Sequence, residues 1–157
     1  MYPDDFGYAV PFELLRGGED TDVHVLWQAL TSVGATLLAA EFPRAYIDPN
    51  RDVDDLDPDL LAGTWPAPLH PSEKTRLGIG LIWRDAGKNA MPPIYARKLP
   101  VAEVQNRIAT YHAPYHAAIW AGRPSAGTAC RSRCTGASTW TKSPAAGVRD
   151  SMRCKMR

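Results

Sequence analysis

Carboxylates, guanidinium groups, imidazoles and thiols cluster at four places along this chain. In the first, Glu19-Asp20-x-Asp22 stands beside His24, just ahead of an apolar-periodic stretch. Carboxylates there can hold a divalent metal. The plainer reading, which the sequence alone favours, is that they cap a helix and complement the positive end of its dipole. In the second, Phe42-Pro43-Arg44-Ala45-Tyr46-Ile47-Asp48-Pro49-Asn50-Arg51 follows directly on an apolar run. Guanidinium forks and an orienting amide suit a carboxylate ligand, and strand ends in open α/β sheets are where ligands bind. A turn carrying surface Arg–Asp pairs is the alternative. In the third, Arg107 and Tyr111 share a helix face, and Tyr111, His112, Tyr115 and His116 crowd together. They can line a pocket or pack a helix with polar tips outward. In the fourth, Cys130 and Cys134, with distant Cys154, lack the fourth Cys or His donor of a zinc site.

The elements that must position these groups follow from periodicity and punctuation. A helical turn around Pro11–Leu15 ends at Gly17-Gly18. Val23, Leu26, Leu30 and Val33 then predict an amphipathic helix, capped by Asp20 or Thr21 and stopped by Gly34. Ala35–Phe42 and Ile79–Trp83 read as buried strands. Residues 51–75, acidic and Pro-rich, read as a long irregular loop. Pro100 opens a second helix with Val101, Val104, Ile108 and Tyr111 on one face. A second helical stretch, after Pro114, carries His116 and Ile119. Helix–Gly–strand units of this kind predict an α/β fold.

Composition divides the chain. Residues 1–120 hold 10 basic and 16 acidic side chains, whereas residues 121–157 hold 8 and one, giving the overall net charge of +1. All three cysteines lie in the second part. That part has no Leu, Ile, Tyr or Phe and no surviving period, so it is expected to be an unstructured basic tail. Its charge can attract nucleic acid. With one aromatic, Trp140, and no motif, nucleic acid is not an expected partner. No run of 18 apolar residues and no leader pattern is present, so a membrane is not expected and a cytoplasmic location is.

Taken in order, the segments resemble the N-formylglutamate amidohydrolase family. The resemblance rests on Tyr2-Pro3-Asp4-Asp5-Phe6, Gly18-Glu19-Asp20-x-x-Val23, the Phe42–Arg51 string and Leu56-Asp57-Pro58. It continues through Leu77-Gly78-Ile79-Gly80-Leu81-Ile82-x-Arg84, Ile94-Tyr95-x-x-x-Leu99-Pro100 and Arg107-Ile108-x-x-Tyr111-x-x-Pro114-Tyr115-His116. It covers residues 1–120, expected to be a partial domain with residues 121–157 as a low-order tail. The resemblance implies a sheet-and-helix α/β fold akin to zinc carboxypeptidases, incomplete here. It implies zinc-dependent cleavage of N-formyl-L-glutamate to formate and L-glutamate, late in histidine degradation. It implies Asp20, or less directly Glu19, as a metal ligand. It further implies Asn50 and Arg51, with Arg44 near by, on a substrate carboxylate, and Tyr115 and His116 lining the pocket.

The same comparison carries departures. The family's Pro-His-Ser/Ala-Gly stretch would precede Tyr2, and its later Asp-x-His-Ser-Met stretch would fall in residues 121–157, where no histidine occurs. An open catalytic zinc site needs about three protein ligands. The expectation is a chain truncated at both ends, which does not hold zinc by itself. A remnant without catalysis, with a tail read out of frame, is the alternative to an active hydrolase. Strands lacking sheet neighbours would leave edges prone to aggregation.

Overall fold

Pro11 sets the entry to α1 (Phe12–Arg16), which buries Leu15 and ends at Gly17. The computed structural model describes residues 2–87 and 91–121, together with the backbone of 137–141. The helix predicted over 23–33 is a single α turn, α2 (Val23–Trp27), that tightens into a 3-10 stretch, Gln28–Val33. Half of its apolar stripe is open, with Leu26 80% and Val33 72% exposed, while Val23 and Leu30 are half-buried. The hydroxyls of Thr31 and Ser32 bond back to the carbonyls of Gln28 and Ala29 at 2.8 and 2.7 Å, competing with regular helix bonding. Neither Asp20 nor Thr21 caps the helix. Asp22 stands at the cap at φ 61°, without a side-chain capping bond. Gly34, at φ 86°, ends the 3-10 stretch as expected.

The strand expected over 35–42 is β1 (Ala35–Ala39). The loop after it contains β2 (Leu61–Ala62) and α3 (Glu73–Arg76). It is organised around Asp55, which accepts from Ser72 N at 2.7 Å, Ser72 Oγ at 2.9 Å and the Thr75 hydroxyl. Leu56, Leu60 and Leu61 are buried there, so this acidic stretch contributes to the core.

The run Ile79–Trp83 is buried as expected but is not a strand. A single bridge joins its ends, Ile79 and Trp83. Gly78, at φ 83°, bends the chain into it, and a Cβ there would collide with the Asp85 carboxylate. The N–H groups of Ile79 and Leu81 bond to the carbonyls of Lys74 and Asp55 at 3.0 and 2.8 Å, so loop contacts replace a ladder.

Next, β3 (Leu99–Pro100) pairs in parallel with β2, with Leu61 opposite Leu99. A helix then runs through α4 (Val101–Arg107), a π turn (Ile108–His112) and α5 (Ala113–Ala121). The widened turn precedes Pro114, which has no N–H to offer a regular turn. Finally β4 (Ala137–Thr141) pairs antiparallel with β1, with Ala35 opposite Thr141. This strand lies within the tail expected to be unstructured, and its Ser-Thr-Trp-Thr composition has strand propensity. The rest of the tail, with all three cysteines, lies outside the described residues.

Mixed helix and strand, with a parallel pair, make the fold α/β. Phe6, Leu15, Tyr46, Ile47, Leu56, Leu81, Ile82, Trp83, Ile94 and Val104 form one core. Arg107 is buried in it at 0% exposure. Its guanidinium lies over the Tyr46 ring, 4.0 Å from the centroid. It donates to Tyr46 O at 3.0 Å, Tyr95 Oη at 2.7 Å and Glu103 Oε1 at 2.6 Å. Burial opposes its charge, but Tyr95, Tyr46 and Glu103 outweigh that and hold its pKa above the usual value. Burial likewise pushes the Tyr95 phenol up to about 12. α4 is thereby fastened to the segment that carries the second candidate group.

Candidate functional site

That segment, residues 43–51, is folded by its own polar groups. Tyr46 N and Ile47 N turn back onto Pro43 O at 3.0 and 3.3 Å. Tyr46 then donates its hydroxyl to Asp5, and burial together with that bond raises the phenol pKa. Asp48, 1% exposed, is the organising residue. Its Oδ1 accepts the Asn50 N–H at 2.9 Å. Its Oδ2 accepts from Arg44 Nη2 at 3.0 Å and Trp83 Nε1 at 3.4 Å. Its own N–H donates to Leu81 O at 2.7 Å, which joins the segment to the buried 79–83 run. Arg44 also lies over the Trp83 ring, 5.4 Å from the centroid. The close approach of Gly18 makes room for that indole, since a Cβ there would sit 2.7 Å from the ring.

Two cavities meet at Arg44. The first, of about 470 Å³, is lined by Glu19, Asp20, Asp22 and Glu41 together with His24 and Arg44, so it is acidic. The second, of about 780 Å³, is lined by Arg44, Asn50, Arg51 and Lys74 against one acid, Glu13, with Trp83 and Ile79 as apolar wall. It is basic. The Arg51 Nε donates to Ile79 O at 3.3 Å and lies 4.0 Å from Asp55, which fixes the root of the guanidinium. Neither its Nη atoms nor the Asn50 side-chain amide hydrogen-bonds a described residue. A planar fork and an amide, set on a fixed backbone in a basic concavity, can take a carboxylate in two-point fashion.

The first candidate group is placed differently. Glu19 accepts from the Tyr2 hydroxyl, and burial with this contact raises the Tyr2 pKa. Asp20 is paired with Arg44 Nη1 at 2.6 Å. Both carboxylates face the acidic cavity, and both already have protein partners. Among the described residues, no three His, Cys, Asp or Glu side chains converge as a metal site.

The structure therefore brings Arg44, Asn50 and Arg51 together and sets Glu19 and Asp20 next door. It does not bring Tyr115 and His116 to either cavity wall. Tyr115 packs edge-on against Phe42, with centroids 6.3 Å apart. The His116 Nε2 bonds Pro49 O at 2.9 Å, and His112 Nε2 bonds Arg51 O at 2.8 Å. Burial lowers the His112 pKa. Asp48 and His112 stand within the second and third sequence groups, although the resemblance implies no site role for either, and Trp83 belongs to none of the four groups. The Asp-Pro-Asn turn signal marks Asp48, whereas nothing local in the sequence marks the carbonyl that His112 faces or the packing of Trp83 against Arg44.

A sequence model of the N-formylglutamate amidohydrolase family matches residues 1–126. No curated protein matches the chain. Among solved structures, the chain resembles the crystal structure of N-formylglutamate amidohydrolase from Ralstonia eutropha JMP134, at 62% identity and a TM-score of 0.73. The match covers 76% of this chain and 42% of that one, so the chain spans less than half the length of that relative.

Proposed function

Because this chain belongs to the N-formylglutamate amidohydrolase family, we propose that its basic cavity binds the carboxylate of an N-acyl amino acid. By family that substrate is N-formyl-L-glutamate, hydrolysed to formate and L-glutamate in a zinc-dependent reaction late in histidine degradation, in the cytoplasm. The observation that carries this reading is that Asn50 and Arg51 both line the basic cavity, with the Asn50 side-chain amide and the Arg51 Nη atoms bonded to no described residue. Arg51 binds the carboxylate, Asn50 orients it, and Lys74 adds positive potential. Arg44, on the boundary, holds Asp20 on one side and Asp48 on the other. The acidic cavity beside it is where a cation would lie relative to such a ligand.

Zinc is the metal this reading calls for, with Asp20 and Glu19 as the donors this chain would offer. The described residues do not fit zinc by themselves, since the two carboxylates are engaged by Arg44 and Tyr2 and no third donor converges with them. That engagement favours a second reading, in which the chain binds the substrate class without turning it over. Three measurements on the purified 157-residue chain decide between the readings: zinc content, formate release from N-formyl-L-glutamate, and calorimetric binding of that compound. Stoichiometric zinc with formate release supports the hydrolase. Binding that Arg51→Met weakens at least tenfold, without formate, supports the second reading. No binding overturns both.

A further inference from the structure

His112 and His116 lie on the face of the π-turn and α5 helix that is turned toward the backbone of residues 49–51. Their rings are neighbours, with centroids 4.3 Å apart. Each uses Nε2 on a main-chain carbonyl, His112 on Arg51 O at 2.8 Å and His116 on Pro49 O at 2.9 Å. A carbonyl oxygen only accepts, so each Nε2 must carry the hydrogen. The two carbonyls bracket Asn50. The peptide unit between Pro49 and Asn50 is then held at both ends, by His116 at its oxygen and by Asp48 Oδ1 at its N–H, 2.9 Å away. The carbonyl of Arg51, on the far side of Asn50, is held by His112. The result is a short stretch in which Asn50 and Arg51 line the basic cavity while the backbone around them is held by the two imidazoles.

We propose that His112 and His116 are positioning residues, which clamp the Pro49–Arg51 backbone by donating Nε2–H to its carbonyls and so aim Asn50 and Arg51 at the carboxylate of the ligand. This rests on the proposed function for what the aimed side chains bind, but the clamp itself does not. Pre-set geometry of this kind is what a recognition pair needs, since a displacement of about 0.5 Å from the productive arrangement loses the benefit of a built site. The pair also gives His116 a role outside the walls of the two cavities.

The test is a nuclear magnetic resonance measurement on the whole chain at pH 8, combined with Leu and Gln variants at each position. Both rings of the wild type are expected to show the Nε2–H tautomer. His112→Leu and His116→Leu remove the donor and are expected to speed hydrogen exchange of the Asn50 amide about tenfold. The Asp48 amide, bonded to Leu81 O, should be unchanged. His112→Gln and His116→Gln place an amide donor near the Nε2 position and are expected to restore exchange to within about threefold of the wild type. An Nδ1–H tautomer at either ring overturns the clamp. So do Leu variants with unchanged Asn50 exchange, or equal acceleration at Asn50 and Asp48, which marks general destabilisation. Should a Leu variant not fold, the wild-type tautomers and the Gln variants still decide the matter. Binding of N-formyl-L-glutamate is measured in parallel. Wild-type chain that fails to bind it but shows both tautomers and the Leu/Gln contrast removes the substrate assignment and leaves the clamp standing.

Discussion

Residues 43–51 and residues 20–34 flank the same acidic cavity, yet they are held in opposite ways. In the first, Ala45, Tyr46, Ile47 and Asp48 are each no more than 1% exposed. Arg107, His112 and His116 each bond a carbonyl of the segment, and Asp48 ties it together from within. In the second, no side chain is buried, and the 3-10 stretch shows Val33 to solvent. Both regions carry proposed site residues, Arg44, Asn50 and Arg51 in one and Asp20 in the other. The difference teaches that the segment proposed to bind a carboxylate is anchored in the packed core of this chain. On the acidic side, Asp20 is held by its ion pair with Arg44 and Glu19 by the Tyr2 hydroxyl.

The strongest way to break that contrast is to remove its central buried charge. Arg107→Leu leaves Glu103, Tyr95 and the Tyr46 carbonyl without their shared donor. Taking away one partner of a buried ionic network costs about 3–5 kcal/mol. The urea midpoint should fall accordingly, and ligand binding should be lost with the fold. A loss below about 1 kcal/mol would mean that segment 43–51 does not depend on α4. One step smaller is Asp48→Ala, which deletes the acceptor shared by Arg44, Trp83 and the Asn50 N–H. Hydrogen bonds to a buried carboxylate are worth about 1.5–3 kcal/mol each before relaxation. A loss of roughly 3 kcal/mol is expected, with weakened ligand binding even at temperatures where the variant is folded.

Acid should act on the same region. The His112 pKa is lower folded than unfolded, chiefly through burial, so the unfolded chain takes up this proton first as pH falls. Stability is therefore unaffected by His112 above about pH 6.5. Below it stability declines, by at most about 1.4 kcal/mol per pH unit for one proton, until the folded-state pKa is passed. Denaturation curves at pH 8 and at pH 5.5 measure it. The slope should be reduced in His112→Gln, and equal slopes in the two proteins would remove His112 as the source.

Much of the better-packed region was legible in the sequence, and much of the other was not. The Phe42–Arg51 string announced its arginines and its turn, and Pro100 with Val101, Val104 and Ile108 announced α4, because those signals are local. Ile79–Trp83 was legible as buried but not as a bend. Its apolar run has strand composition, while Gly78 and the loop carbonyls of Lys74 and Asp55 decide its path. The clamp was hidden for a different reason. His116 and Pro49 are far apart in sequence, and an imidazole facing a pocket has the same spacing as one facing a carbonyl. Arg107 was read for its helix face, and nothing around it signals complete burial. The 23–33 stripe has good helical spacing, but periodicity states which face is apolar and not whether anything covers it.

The smallest expected effect tests that last distinction directly. Leu26 is 80% and Val33 72% exposed, so Leu26→Gln and Val33→Thr exchange apolar for polar surface already facing water. Substitutions away from packed features change stability by about 0.5 kcal/mol or less. The pair together should leave the urea midpoint within error of the wild type, at the same time as Arg107→Leu moves it strongly. Solubility should rise, because fewer large apolar groups remain free to associate. If either exchange instead costs more than about 1 kcal/mol, the 23–33 face is covered in solution. The contrast between the two sides of the cavity would then lie in what covers each of them, and Asp20 would have to be regarded as held as firmly as Arg51.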